Sequence, residues 1–219
     1  GSFGRFFAGA NTMRLDNRLV VLELEHLKQR KHLQRVVLLQ LIYQIQQAMY
    51  VGDRSRRKIV IIDEAWDLLT SGEVGKFIET GYRRFRKYNG SAIVITQSLG
   101  DLYTNPVGEA ITANSAITFQ LAQQGRTLEM LAGQQKLPGS IGLDTLKSIH
   151  TAPGRYAELA IMSNRGSGVA RLVVSPFLQL LYSTRAEDVA AIAALRGQGL
   201  SLEAAIETLV QRRQRQAAA

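Results

Sequence analysis

Three short runs hold side chains whose types and spacing could do chemistry together. The first is Ile59-Val60-Ile61-Ile62-Asp63-Glu64, a continuous apolar, mostly β-branched run that ends in two carboxylates. Such a run reads as a buried strand, and a carboxylate closing a buried strand is rigid and aimed at the ligand edge of its sheet. Asp63 in that place suits a magnesium ion held through its water shell. Glu64 suits polarising an attacking water. The pair could instead cap the N-terminus of the next helix. The second run, Ile93-Val94-Ile95-Thr96-Gln97-Ser98, puts a neutral amide at the end of another β-branched stretch. Gln97 can bond both a transferable phosphate and the water that attacks it. The plainer alternative makes Thr96 or Ser98 a helix N-cap and leaves Gln97 exposed. The third run carries Arg83, Arg84, Arg86 and Lys87 just before Asn89-Gly90. An arginine there could reach a nucleotide on a neighbouring subunit, where its permanent charge and fork of donors would stabilise a transferring phosphoryl group. A basic helix C-terminus complementing the helix dipole is the alternative.

The elements that must position these groups follow from periodicity. Residues 3–18 have no clean period and read as a loop with Phe anchors. Strands are expected at 19–25, 58–63, 91–96 and 115–120, and again at 155–163 and 169–174, joined by the turn chemistry of 164–168. Helical spacing covers 32–50, 73–88 and 99–113, the last broken by Pro106, and then 125–131 and 143–149. Asn89-Gly90 closes the second helix. Strand–helix alternation with continuous β-branched strands predicts an α/β fold: a mostly parallel sheet with helices on both faces. From Pro176 the composition shifts to Ala, Leu, Glu and Gln, with helices at 186–195 and 202–214, broken by Gly197-Gln198-Gly199 and restarted by Ser201 as N-cap. The expected division is a lead-in at 1–13 that starts on the tag-like pair Gly1-Ser2, a main α/β domain at 14–175, and a helical C-terminal appendage at 176–219.

Composition sets the outer bounds. The 219 residues include no cysteine, which excludes disulfide scaffolds and Cys-based metal sites. The 46% hydrophobic fraction is that of a globular chain, and no apolar run approaches a membrane span. Net charge is +9. Residues 1–100 carry 16 basic and 9 acidic groups, whereas 101–219 carry 11 and 9, so the excess lies in the first half. It gathers in three clusters: Lys28, Arg30, Lys31 and Arg35; Arg54, Arg56, Arg57 and Lys58; and Arg83, Arg84, Arg86 and Lys87. Nucleic acid, nucleotide phosphates, anionic lipid and acidic partners are all attracted by such a distribution. His26, His32 and His150 lack metal-ligand spacing and read as surface or helix residues. Trp66 reads as packing after the first strand, and Met130 as core.

The apolar run ending in Asp63-Glu64 has the Walker B pattern of P-loop ATPases. The phosphate-cradling run G-x-x-x-x-G-K-[ST] occurs nowhere in the 219 residues. Asp63-Glu64-Ala65-Trp66-Asp67-Leu68-Leu69, then Arg86-Lys87-Tyr88-Asn89-Gly90, then Thr96-Gln97-Ser98 resembles the conjugation and type IV secretion ATPases of the TraC (VirB-type) family. These sit in the wider HerA/FtsK group of RecA-like hexameric motors. Leu15-Asp16-Asn17-Arg18 running into 20–24, and the long helix after it, are similar to the segment between Walker A and Walker B in that family.

The resemblance implies the C-terminal motor domain of an ATPase that works at the cytoplasmic face of the bacterial inner membrane, helping to assemble the conjugative pilus and to drive substrate transport. It implies Asp63 as the magnesium-linked acid, Glu64 as the catalytic acid, Gln97 as the sensor and Arg86 as the arginine finger. Arg165, in Ser163-Asn164-Arg165-Gly166, is a weaker candidate for a second phosphate-facing arginine, with a turn residue as the alternative. ATP and magnesium are the implied cofactors of the parent protein. Implied partners are other copies in a hexamer, the secretion channel, coupling proteins and DNA. Because Walker A is missing, the segment is expected to start downstream of it, to bind nucleotide poorly and to be inactive alone, with an uncovered sheet edge and apolar groove that favour self-association. Two other functions are open: a basic nucleic-acid-binding or docking module of the conjugation machinery without catalysis, and an interaction protein whose C-terminal helices contact the channel or a coupling protein.

Overall fold

Lys58-Ile-Val-Ile-Ile and Gly90-Ser-Ala-Ile-Val form two parallel strands, β1 (Lys58–Ile62) and β2 (Gly90–Val94), paired from Lys58↔Gly90 to Ile62↔Val94. The computed structural model describes residues 8–9, 17–27, 29–64, 72–137 and 141–218. They fall into two compact units, Gly1–Ala116 and Ile117–Ala219.

In the first unit, α1 (Lys31–Gln46) runs into a π-helical turn at Gln47–Val51. After β1, α2 (Gly72–Arg84) tightens into a 3-10 turn at Phe85–Tyr88 and ends on Asn89, whose φ of 56° supplies the left-handed cap expected there. The chain then passes through β2 to α3 (Leu99–Tyr103) and α4 (Pro106–Asn114). Pro106 starts α4 in its first turn, where its missing N–H is not needed. The core gathers Leu38 and Met49, Val74, Phe77 and Ile78 of α2, Phe85, and Ile111 of α4 against Val60, Ile62, Ala92 and Val94 of the strands. Gly81 is needed here, since a Cβ would lie 2.7 Å from the Phe85 ring.

The other face of the pair presents Ile59, Ile61, Ile93 and Ile95, all exposed. The expected cover by helices on both faces is therefore found on one face among the described residues, although β-branched residues fill both. The expected strand at 19–25 also does not form. Residues 20–24 take no regular structure and Glu25–Leu27 is a 3-10 turn, because no strand among the described residues pairs with this run.

The second unit differs from a mostly parallel plan. β3 (Ile117–Gln120) pairs antiparallel with β5 (Tyr156–Ser163), and β5 also pairs antiparallel with β4 (Thr151–Ala152) and β6 (Gly166–Leu172). Parallel pairing is confined to β1 and β2 among the described residues. The hairpin between β5 and β6 closes through two residues, Asn164-Arg165, and its second strand begins three residues before the expected position. Helices α5 (Gly125–Gly133) and α6 (Leu143–Ser148) fall where periodicity places them. Met130 is 42% exposed, not core: α5 buries Leu128 and Leu131 instead.

The C-terminal end is helical, as expected: α7 (Pro176–Leu181), α8 (Ala186–Gly197) and α9 (Leu202–Ala218). Leu180, Leu195, Ala205, Ile206 and Leu209 form their core. The Ser201 hydroxyl accepts the Ala204 N–H at 3.2 Å, the cap its sequence announced. Asp188, 3% exposed, is bonded by the Ser183 hydroxyl at 2.5 Å and paired with Arg213 across two helices.

Candidate functional site

Parallel pairing decides which ends of β1 and β2 meet. Because Ile62 faces Val94, both strands release their chains at the same edge. The Ile95 N–H donates to the Ile62 carbonyl at 2.9 Å and carries the ladder one step further. Asp63, Glu64 and Gln97 thus emerge side by side from strands about 5 Å apart. All three are exposed.

Glu64 has a φ of 50°. A non-glycine residue in the left-handed region carries strain of about 1–3 kcal/mol, and such residues cluster at functional sites. Its N–H donates to Asp63 Oδ1 at 2.9 Å, which fixes the Asp63 carboxylate at the strand end. Sequence reasoning missed this turn, and residue type gives no signal for it, since glutamate has no preference for that region.

On the neighbouring strand the framing of Gln97 is strong. The Thr96 hydroxyl donates to Asp101 Oδ2 at 2.5 Å, and the Ser98 N–H donates to the same oxygen at 3.3 Å. Ser98 Oγ accepts the Gly100 N–H at 3.1 Å and completes a reciprocal cap on α3. Both neighbours of Gln97 are thereby committed to the helix start, and the amide between them projects from a fixed backbone. Asp101 had no part in the sequence reading. The signal was present as Ser98 followed three residues later by an acid.

Arg86 lies at the other edge. It is exposed in the turn Phe85–Tyr88, before β2 begins, so the five residues of β2 separate it from the Gln97 end, about 16 Å of extended chain. The Asn89 carbonyl accepts the Lys58 N–H at 3.1 Å and the Asn89 side chain donates to the Ser55 carbonyl at 3.3 Å, tying this turn to the start of β1. Arg165 occupies the β5–β6 turn, where its N–H donates to Ser163 Oγ at 3.2 Å. It belongs to the second unit. Three of the five sequence-named residues are therefore brought together. Trp66 and Asp67 lie outside the described residues.

The site fits one half of a magnesium–nucleotide group. Two carboxylates and an amide at the strand edge suit a cation held through water and a water positioned for attack. No group of three or more acidic or histidine ligands occurs among the described residues, so nothing there builds an all-protein metal cage. The other half, a glycine-rich phosphate cradle, has no counterpart in this sequence. No described helix is long and apolar enough to cross a membrane.

Comparison with known proteins bears on the fold and the family. The chain of VirB4 of Thermoanaerobacter pseudethanolicus superposes with a TM-score of 0.57 at 24% identity, over 75% of this chain and 44% of that one. That likeness supports the fold. Protein TraC of Escherichia coli (strain K12) is 31% identical over 216 residues, which takes in 94% of this chain. The chain spans only 24% of the length of that TraC. The sequence pattern of the TraG P-loop domain family matches residues 4–213. With the match running over nearly its whole length, the chain belongs to the TraG P-loop domain family.

Proposed function

We propose that this chain is the Walker B-to-sensor part of an ATP-hydrolysing motor of type IV secretion and conjugation, powering pilus assembly and substrate transfer. The observation that carries the reading is the parallel register of β1 and β2, which sets Asp63, Glu64 and Gln97 at one edge and Arg86 at the opposite one. A nucleotide with magnesium supplies the transferable phosphoryl group when bound. Asp63 would hold the magnesium ion, which would neutralise charge on the phosphates. Glu64 accepts a hydrogen bond from the attacking water and orients it. Gln97, fixed between Thr96 and Ser98, holds the same water from the neighbouring strand. Arg86 lies at the opposite edge in its own subunit, so it serves the site of the next copy in a ring. Such a ring works beside a secretion channel and coupling proteins at the inner face of the bacterial membrane.

The 219 residues alone carry no phosphate cradle, so they hold nucleotide weakly and do not turn it over. Segment 14–175 belongs to the motor domain in this reading, and 176–219 is its helical appendage. The test compares three proteins: a longer form that includes a G-x-x-x-x-G-K-[ST] loop, that form with Glu64→Gln, and the present chain. Turnover by the first alone supports the proposal. Equal turnover by the Glu64→Gln form overturns it.

A further inference from the structure

The last ladder bond between β1 and β2 runs from the Ile95 N–H to the Ile62 carbonyl, so among the described residues Thr96, Gln97 and Ser98 lie past the end of the pairing. One carboxylate takes over there. Asp101 Oδ2 accepts the Thr96 hydroxyl at 2.5 Å and the Ser98 N–H at 3.3 Å, one bond on each side of Gln97. The second bond belongs to the cap of α3, in which an acid three residues past the N-cap returns to the N-cap N–H. The first does not. Thr96 lies two residues before the N-cap, and a capping box makes no use of a hydroxyl in that place. The same oxygen thus brackets Gln97 as well as starting the helix, and it is itself held firmly. Leu99 is buried and anchors α3. The Asn105 side chain donates to the Asp101 carbonyl at 2.8 Å, and Asn105 Oδ1 accepts the Gly108 N–H at 2.8 Å, which joins α3 to α4.

We infer that Asp101 is a positioning residue for Gln97, acting through Thr96 and Ser98. The inference rests on the reading of Gln97 as the amide that holds the attacking water, and it adds the group that aims this amide. Gln97 is exposed, so packing does little to orient its long side chain. Its aim is only as firm as the backbone that carries it. Misplacing a catalytic group by about 1 Å can cost about a hundredfold in rate. Hydrogen bonds to an ionised carboxylate are about twice as strong as those between neutral groups. Two of them, part-buried and on either side of Gln97, fix its backbone where the sheet no longer does.

The test has two arms. In the 219-residue chain, amide nitrogen relaxation reads the backbone order of Gln97 with no nucleotide present. Asp101→Ala should lower its order parameter from about 0.85 to about 0.6 or less. Thr96→Val removes one bond and keeps the cap of α3, so it should lower the value in part, and Thr96→Ser should restore it. This pair answers the question even if Asp101→Ala fails to fold. In the cradle-bearing form, Asp101→Ala should lower kcat about tenfold or more and leave KM within about twofold. The double variant Asp101→Ala/Gln97→Ala should be no slower than Gln97→Ala, because the carboxylate acts through that amide. The control Ser175→Ala loses a helix cap of the same kind, the bond from the Leu178 N–H at 3.3 Å, and leaves kcat unchanged. An unchanged Gln97 order parameter, fully additive losses in the double variant, or a raised KM at unchanged kcat would each overturn the inference and leave the motor reading standing. An unmodified cradle-bearing form that turns over no ATP would overturn the motor reading and this inference with it, a result the relaxation arm cannot produce.

Discussion

The Ile62 carbonyl accepts the Ile95 N–H at 2.9 Å, and that bond sets the register of everything beyond it. One residue further on β1 is Asp63, and two residues further on β2 is Gln97. Neither side chain is held by the other. Both are placed by backbone pairing and by the packing of Val60, Ile62, Ala92 and Val94 on the helices below. The site is thus a consequence of strand register, and a one-residue slip would turn its side chains to the other face.

Arg86→Ala is expected to lower ATP turnover of the longer, cradle-bearing form by about a thousandfold while leaving nucleotide binding near its original value. Steady-state turnover and a direct binding titration separate the two. Loss of binding with the same variant would put Arg86 in the ground-state site.

Asn89 holds the Arg86 turn in two ways, by its left-handed backbone and by its bond to the Ser55 carbonyl. Asn89→Ala loses the bond and adds about 1 kcal/mol of backbone strain. Asn89→Gly loses the bond only. Thermal melts should therefore rank asparagine and glycine above alanine, whereas turnover of the longer, cradle-bearing form should fall in both variants. Full turnover in the glycine variant would show that the Ser55 bond does not position Arg86.

Asp188 is expected to contribute to acid stability in the C-terminal helices. The Ser183 hydroxyl first, and Arg213 second, hold its carboxyl below the usual carboxylate range. The folded state thus binds its proton less readily than the unfolded chain. The stabilisation is complete above the ordinary value of about 4 and is lost as pH falls through the lowered one. Asp188→Asn should cost about 2 kcal/mol near neutral pH, less than a fully buried pair because Arg213 is half exposed. It should also flatten the acid limb. Urea melts across the carboxylate range read both. An unchanged acid limb would assign the titration to other groups.

Gly108 sits where α4 crosses α3, and an added Cβ would lie 2.3 Å from the Leu102 carbonyl oxygen. Backbone cannot yield as a flexible side chain would. Gly108→Ala should destabilise the first unit by about 1–3 kcal/mol. Gly133→Ala, where a Cβ meets nothing within 4 Å, is the matched control in differential scanning calorimetry.

Much of the first unit was legible because its strands are continuous β-branched runs and its helices are periodic. Asp63, Glu64 and Gln97 could be placed on one edge by the rule that parallel strands end together. The same rule sends Arg86 to the far edge, a step that needs the register. Residues 19–25 have strand composition, but composition does not supply a partner. Ser115-Ala-Ile-Thr-Phe-Gln120 reads as a strand either way, and four residues do not say parallel or antiparallel. The start of β6 was hidden by Gly166 and Gly168, which lower strand propensity while allowing the tight turn. α7 was overlooked although Ser175-Pro176 is a helix start: Ser175 Oγ accepts the Leu178 N–H at 3.3 Å. The left-handed backbone of Glu64 had no signal in the sequence at all.

Whether Arg86 acts on the Glu64 edge of a neighbouring subunit is tested most directly by mixing two inactive partners. Cradle-bearing Glu64→Gln and Arg86→Ala proteins are assayed alone and then as mixed assemblies. Where an Arg86→Ala subunit meets a Glu64→Gln neighbour, its intact Glu64 edge faces an intact Arg86. Each protein alone is expected to be dead, and an equal mixture to recover about a quarter of unmodified turnover, the share of such junctions in a randomly mixed ring. A mixture as inactive as its components would contradict this, because Arg86 and Glu64 would then be acting in the same subunit or not at the same site.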